Sequence, residues 1–515
     1  MRDNKKGVLA LGLMVAALCT PVSSAVAQNH TRMSGPPQPP KTTTKPTGTW
    51  LPKSIGFIKA SNTGKDNQFG SAVALSADGN TLAVGAITEG SAAKGVNGVS
   101  KDHAVNSGAV YVYTRDAKGW KQQAYLKASN AAASAQFGNA LSLSADGNLL
   151  AVGSAAEASS ATGVNGDQSD RSMPGAGAVY VFARAGTTWS QQAYLKASNT
   201  GGPTLGYQFG YAVSLSSDGS TLAVSETSDP SNATGINGNA KDTSAPEAGA
   251  VFIFTHSGDI WSQQAYIKPW NTTTANLLFG YSIGLSGNGD TLGVGAYNDE
   301  ARRGAVYVFT RNNGTWSQQT RLSAMNGQVG DYLGCSMAIS DDGNTIVGGT
   351  VEDKYAQINA GAGREVLDSV GGAYVFVRAA GQWSQQAYVK AFNPRENDQF
   401  GWAVAISRDG NTIAVGSHLE DSGAKGVNGD QSDASTEDSG AVYVYTRTGT
   451  TWNPTAYVKA SNTKPSAEFG ISVALNGDGK VLAAGAPRED SAAKGVNGKQ
   501  DDKSASSAGA AYVYY

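Results

Sequence analysis

Cysteine is almost missing from this chain: Cys19 sits inside an N-terminal apolar run, and Cys335 is left alone after it. Once that run is removed, no intramolecular disulfide can form, so stability has to come from packing. Histidine is equally scarce. His30, His103, His256 and His418 share no register, so no histidine-based metal site or catalytic triad is suggested. Charged residues make up 16% of the chain, the formal net charge is -2, and no Lys/Arg-rich run follows the first few residues. That balance excludes a nucleic-acid surface. No apolar stretch after Leu18 approaches the length of a membrane span. What the chain does have is glycine, 65 residues of it, with 40% apolar content and only 8% aromatics. A sizeable core broken by many turns, and therefore an all-β fold, is the expectation.

The N-terminus reads as an export signal. Arg2, Lys5 and Lys6 precede the apolar run Val8 to Leu18, and Ala25 and Ala27 place small residues at -3 and -1 of a cleavage before Gln28. Leu18 stands where lipoprotein processing at Cys19 would want a small residue. Residues 1–27 are thus expected to be a signal peptide, and 28–53 a Pro/Thr-rich linker without a core. The mature chain is expected outside the cytoplasm, as a secreted, periplasmic or cell-surface protein with no membrane span.

From residue 54 to 515 one unit repeats. Its marker is Phe-Gly followed by small and apolar residues: FGSAVALS at 69, FGNALSLS at 137, FGYAVSLS at 209, FGYSIGLS at 279, LGCSMAIS at 333, FGWAVAIS at 400 and FGISVALN at 469. Each copy runs into an Asp-Gly or Asn-Gly pair, such as Asp78-Gly79 or Asn288-Gly289, residue types that tolerate the backbone of tight hairpin turns. A second strand follows (TLAVGA at 81), then a third in which Val and Tyr alternate (GAVYVYTR at 108), then a fourth (WSQQAYLKASN at 189).

Seven four-stranded antiparallel sheets cannot each bury both faces alone, and stacking around an axis solves this. A seven-bladed β-propeller is predicted. The chain ends after a third strand, GAAYVYY, while IGFIKASN at 55–62 matches a fourth-strand ending, so the N-terminal strand is expected to complete the last blade and close the ring.

The Phe-Gly starts, with Gly-Ala-Pro at 485–487, resemble the FG-GAP repeat, the blade unit of the integrin alpha-chain propeller and of many exported bacterial propellers. The resemblance covers nearly the whole mature chain and implies that fold. Integrin-like blades often carry a calcium loop in the first hairpin, D-x-[DN]-x-D-G. The matching stretch here, LSADGNTLAVGA, keeps Asp78 but has Ala74 and Ser76 at the earlier ligand positions. The family's metal site is therefore not carried over, and these Asp-Gly pairs are expected to be turn residues.

A second pattern lies between the second and third strands, where the octapeptide GVNGDQSD occurs identically at 163–170 and 426–433. Six of the seven loops there run to about twenty residues, far beyond ordinary connections, so function is expected on the face that carries them. Five loops keep one spacing: an acid, Gly-[Val/Ile]-Asn-Gly, then Asp. They are Glu89, Asn97 and Asp102; Glu157, Asn165 and Asp170; Asp229, Asn237 and Asp242; Glu420, Asn428 and Asp433; and Glu489, Asn497 and Asp502. The other two blades retain only the first acid, Asp299 and Asp353.

Three readings fit the pattern. The carboxylates and amides tie the loop to itself; or the acid and aspartate of each complete loop hold calcium; or the asparagines with Asp299 and Asp353 meet a ligand directly.

Enzymatic signals are weak. Gly280-Tyr281-Ser282-Ile283-Gly284 satisfies a hydrolase-elbow pattern, but it is one copy of the repeating strand rather than a strand-to-helix turn. The recurring tyrosines Tyr111, Tyr180, Tyr307 and Tyr443 suit packing between blades. The expected function is a non-catalytic, monomeric binding or adhesion module whose acidic loops, ordered by calcium in one reading, meet an extracellular or envelope protein or a glycan. A structural envelope scaffold is the alternative, and a polysaccharide-acting enzyme a more distant one.

Overall fold

A computed structural model describes residues 50, 52–201, 206–270, 275–356 and 365–515. The expected signal peptide (1–27) and most of the expected linker (28–53) lie outside them. Seven four-stranded antiparallel sheets form, each pairing its strands in chain order. Blade 1 comprises Phe69–Leu75, Thr81–Ala86, Ala109–Asp116 and Gly119–Leu126, and blades 2 to 6 repeat this from Leu141–Leu143 through Thr451–Val458. Blade 7 has Val473–Leu475, Leu482–Ala486 and Ala510–Tyr514. Its fourth strand is Ile55–Ile58, antiparallel to the C-terminal strand with Ile55 opposite Tyr514 and Ile58 opposite Ala511. The ring closes as the sequence predicts.

The axis is marked by the Asp-Gly hairpins. In each of them Ser or Asn opens the turn and the Asp or Asn carboxyl or amide oxygen receives the backbone N–H two residues on, as from Asn80 to Asp78 at 2.9 Å. This leaves the residue between free to bond to the next blade. The N–H of Ala77 donates to the carbonyl of Ala145, Ala145 to Ser217, Ser217 to Gly287, Gly287 to Asp341, Asp341 to Arg408, Arg408 to Gly477, and Gly477 back to Ala77, all at 2.8 to 3.0 Å. Seven backbone hydrogen bonds thus make a closed circle around the axis. Arg408 fills it, reaching Asp341 Oδ2 at 3.0 Å and donating to Ser217 Oγ from three blades away. Backbone and side chain thus bridge that end of the ring.

The core lies between blades. Each buried cluster joins the facing sides of two neighbours; Phe69, for example, packs with Tyr111 and Tyr113 of its own blade and Ala483 and Val513 of blade 7. Burying one such aromatic contributes about 1.5–3 kcal/mol. Backbones also meet. Gly108 opens a third strand at φ +78, bridged to Phe137 of the next blade, and a Cβ there would lie 2.1 Å from the Phe137 carbonyl oxygen. Only glycine fits such an approach.

A third link is polar. The indole N–H of each Trp at the start of a fourth strand donates to the second glutamine of the preceding blade's Gln-Gln pair: Trp189 to Gln123, Trp261 to Gln192, Trp316 to Gln264, Trp383 to Gln319 and Trp452 to Gln386, at 2.8 to 3.0 Å. At the ring closure Ile55 stands at the glutamine position, and the Trp120 N–H has no partner among the described residues. Trp50, four residues ahead of the boundary expected at 54, is buried and donates to the Gly479 carbonyl at 2.8 Å.

Candidate functional site

The long second-to-third loops sit at the end of the inner strands opposite the closed circle. Their Gly-Val-Asn-Gly segment docks on the free edge of the same blade's fourth strand. The N–H of Asn97, Asn165, Asn237, Asn428 and Asn497 donates to the carbonyl of Tyr125, Tyr194, Tyr266, Tyr457 and Phe57 at 2.7 to 2.8 Å. The side-chain oxygen of each asparagine accepts the N–H of that same residue at 2.9 to 3.0 Å. Each asparagine has φ between 52° and 57°, a conformation this residue type accepts more readily than others. The segment therefore acts as a short fifth strand that covers an otherwise open sheet edge. The structure gives these five asparagines a docking contact.

The first acid of every loop is buried and faces a cation. Lys127 reaches Glu89 at 2.8 Å, Lys196 reaches Glu157 at 3.0 Å, and Lys268 reaches Asp229 at 2.9 Å. Lys390 reaches Asp353 at 3.2 Å, Lys459 reaches Glu420 at 2.6 Å, and Lys59 of the closing strand reaches Glu489 at 2.8 Å. The lysine leaves the fourth strand's end, in the YLKASN stretch, and lies 37 to 39 residues from its acid within blades 1–3, 5 and 6. Burial draws all six ammonium pKa values down, and the facing carboxylate opposes it.

Blade 4 has Ser323 at the lysine position and Arg321 where the others have a tyrosine or Phe57. The Arg321 Nε lies 2.7 Å from Asp299 Oδ2. A cation is thus restored from a neighbouring position of the same strand.

Each pair is completed by neutral donors. Tyr125, Tyr194, Tyr266, Tyr388 and Tyr457 donate their hydroxyls to the acids of their blades. The asparagine that ends the preceding fourth strand donates as well, as Asn130 does to Glu157 at 3.0 Å and Asn462 to Glu489 at 3.0 Å. Seven hydrogen-bonded ion pairs therefore stand around the molecule at the seams between blades.

The second carboxylate turns to its own loop. Asp170, Asp242, Asp433 and Asp502 accept the N–H of the residue ten positions earlier (Ser160, Asn232, Gly423, Ala492) at 2.7 to 3.0 Å. They also accept the N–H two positions on, at 2.9 to 3.0 Å. Acid and aspartate are thus given separate partners in the loops expected to hold calcium. Among the described residues no group of three or more His, Cys, Asp or Glu side chains is placed to hold a metal. Asp102 is the exception: here Ala92, ten positions earlier, donates to its backbone carbonyl instead, at 3.1 Å.

Three blades bury a second carboxyl beside the ion pair. Glu226 is held well above the usual carboxyl range by burial and by Asp229, Asp331 is pushed to about 7 by burial and Asp353, and Asp398 to about 8 by burial and Glu420. Asp398 is thus mostly protonated at neutral pH, and Asp331 is about half protonated there.

At the open end of the channel each inner strand contributes one residue after its Phe-Gly or Leu-Gly: Ser71, Asn139, Tyr211, Tyr281, Cys335, Trp402 and Ile471. Tyr211, Tyr281 and Trp402 are half-buried. Tyr211 meets Tyr281 at 5.2 Å, Tyr281 meets Tyr297 at 4.4 Å and Trp402 meets His418 at 4.3 Å between ring centroids. The aromatics concentrate in blades 3 to 6, so the mouth is one-sided.

The FG-GAP repeat model matches residues 120–182, 316–376 and 383–445, each beginning at a fourth-strand Trp and ending in the third strand of the following blade. The chain carries FG-GAP repeats. The three matched stretches lie within the ring of seven closed blades described above. Among solved structures, a chain of the mitotic checkpoint complex matches with TM-score 0.45 and 11% identity, over 94% of this chain and 98% of that one. The Cps50 (Swd1) β-propeller domain of Myceliophteria thermophila matches with TM-score 0.46 and 11% identity, over 83% and 95%. No curated protein matches the sequence.

The lysines were missed by sequence reasoning, although the signal was present: a lysine recurs in the apolar end of the fourth strand, and its one loss coincides with an arginine two positions earlier. The aromatic mouth was also missed, because its residues vary from copy to copy and so fall outside the repeat pattern.

Proposed function

We propose that this FG-GAP propeller is a non-catalytic, exported binding module that presents its long-loop face to a carbohydrate or protein partner. The observation that carries the reading is the inequality of the two ends. One end is bridged by the backbone circle and Arg408, whereas the other gathers the long loops around half-buried Tyr211, Tyr281 and Trp402. Ring faces of this kind stack on the apolar faces of sugars, which favours a glycan. FG-GAP repeats are typical of extracellular and envelope proteins, and such propellers are generally non-enzymatic. Adhesion in the manner of integrin alpha chains is the biological role we assign. In this reading calcium has no part in ordering the loops, because the buried lysines already neutralise their acids.

A structural scaffold is the second reading, favoured by the extent to which the loops bond to themselves. A glycan array probed with the wild-type protein and with Trp402→Ala/Tyr281→Ala separates the two. Glycan binding that is lost in the double variant supports the module. Absence of glycan binding, with a defined envelope protein co-purifying in stoichiometric amount, supports the scaffold.

A further inference from the structure

The seams around the long loops are not equally filled. In blade 2 the Arg171 guanidinium donates to the carbonyls of Gln168, Asp170 and Asn130 at 2.7 to 2.8 Å, with Glu157 3.9 Å away. In blade 6 Arg395 donates to the carbonyls of Asp433 and Ser432 at 2.9 and 2.8 Å. In blade 7 Lys464 donates to the carbonyl of Asp502 at 2.9 Å and to Glu489 at 3.1 Å. Cations from two repeat positions, Arg395 and Lys464 from one and Arg171 from the other, thus converge on one arrangement: a cation over the loop carbonyls, in blades 2 and 7 also within 4 Å of the buried acid.

Blade 1 lacks it. Gly64 stands where blades 6 and 7 carry Arg395 and Lys464, and His103 where blade 2 carries Arg171. Ser100 also replaces the glutamine found at 168, 431 and 500, and Asn62 makes no counterpart of the amide-to-carbonyl bond that Asn130, Asn393 and Asn462 make there. A cleft of about 460 Å³ lies there, lined among others by Lys65, Asp66, Glu89, Ser100, Asp102 and His103. A second hollow of about 320 Å³ lies on the other side of Ser91 and Ser100. Glu89 is buried at the bottom, and the Asp102 carboxylate, released from the loop bond its four counterparts make, lies in the wall. Blade 3 has Gly201 and Thr243 at the cation positions too, but its adjoining residues 202–205 lie outside the described ones.

We infer that the blade 1 cleft binds an organic cation, a guanidinium or primary ammonium group, in the place that Arg171, Arg395 and Lys464 occupy in the sister blades. The acceptors are the carboxylates of Glu89 and Asp102 and the loop carbonyls from Ser100 to Asp102. Charge-assisted hydrogen bonds to carboxylate and carbonyl oxygens are the strong kind, and a fork of donors satisfies several at once. The cation belongs to a basic side chain of a partner or to a free small amine; the two share this chemistry. The inference rests on the reading of the long-loop face as the binding face, though on a site apart from the aromatic mouth.

The test uses the full-length mature protein and calorimetric titration with methylguanidinium, with butylamine, with an arginine-containing pentapeptide, and with uncharged N-methylurea as control. The cations are expected to bind and the urea is not. Asp102→Asn should weaken the cations at least tenfold, and Gly64→Lys, which rebuilds the blade 7 arrangement, should abolish binding while raising Tm. A peptide at least tenfold tighter than methylguanidinium assigns the site to a partner's side chain, and equal affinities assign it to a free amine. Equal binding of cation and urea, or undiminished binding in the folded Gly64→Lys protein, overturns the inference. The Trp402→Ala/Tyr281→Ala protein should bind the cations normally, so failure of the glycan reading and failure of this one are separable.

Discussion

The Arg321 guanidinium meets the Asp299 carboxylate at 2.7 Å from the strand position that holds a tyrosine in five other blades, while the lysine position two residues on has become Ser323. Both partners are largely buried. The exchange keeps one cation facing one acid, and so identifies the ion pair rather than either residue as what the seam needs.

Arg321→Tyr alone should therefore leave Asp299 buried without a counter-charge and destabilise the fold by about 3–5 kcal/mol. The double variant Arg321→Tyr/Ser323→Lys, which rebuilds the arrangement of the other blades, should recover most of that loss. Chemical denaturation of the three proteins checks it; a double variant no better than the single one would show that the blades are not equivalent.

In the same way Lys459→Met should cost about 3–5 kcal/mol through the stranded Glu420, and Lys459→Met/Glu420→Gln markedly less. Because the lysines already neutralise the loop acids, thermal melting of the wild type should be unchanged between chelator and millimolar calcium. A rise in Tm with calcium, growing logarithmically with concentration, would demonstrate a bound ion.

Asp398 is protonated at neutral pH in the folded protein, with a pKa near 8, while in the unfolded chain it ionises near 4. Between those values the folded state binds more protons than the unfolded one, so stability falls as pH rises from about 4 to about 8 and is then level. Asp331, near 7, adds to the same slope. Asp398→Asn should flatten it, gaining more stability at pH 8 than at pH 5 relative to wild type. Melting curves across that window are the measurement, and parallel curves for the two proteins would refute the assignment.

Gly108→Ala places a methyl group 2.1 Å from the Phe137 carbonyl oxygen on a backbone with φ +78. Neither can move without parting blades 1 and 2, so a loss larger than the about 1 kcal/mol of an ordinary strained glycine replacement is expected. Gly119→Ala, also at positive φ but with nothing within 4 Å, should cost less and supplies the comparison.

The blade count, the strand order and the closure by residues 55–62 were legible in the chain because they depend on local periodicity and on copies that can be aligned with one another. The Asp-Gly pairs were likewise legible as turns. The role of Glu157 was not, since its partners Lys196, Tyr194 and Asn130 lie 27 to 39 residues away. Spacing within the loop puts two carboxylates and an amide together in the chain; in the structure Glu157 faces Lys196, Asn165 bonds to the strand edge and Asp170 to its own loop.

By itself the sequence determined a ring of seven like sheets with its long connections at one end, because repetition and strand alternation are properties of neighbouring residues. Which groups face each other across the seams, which end of the ring is bridged by Arg408 and where a cation is missing were decided by the tertiary structure alone. Those outcomes follow from the curvature that brings separate repeats together, and no single repeat contains both sides of a seam.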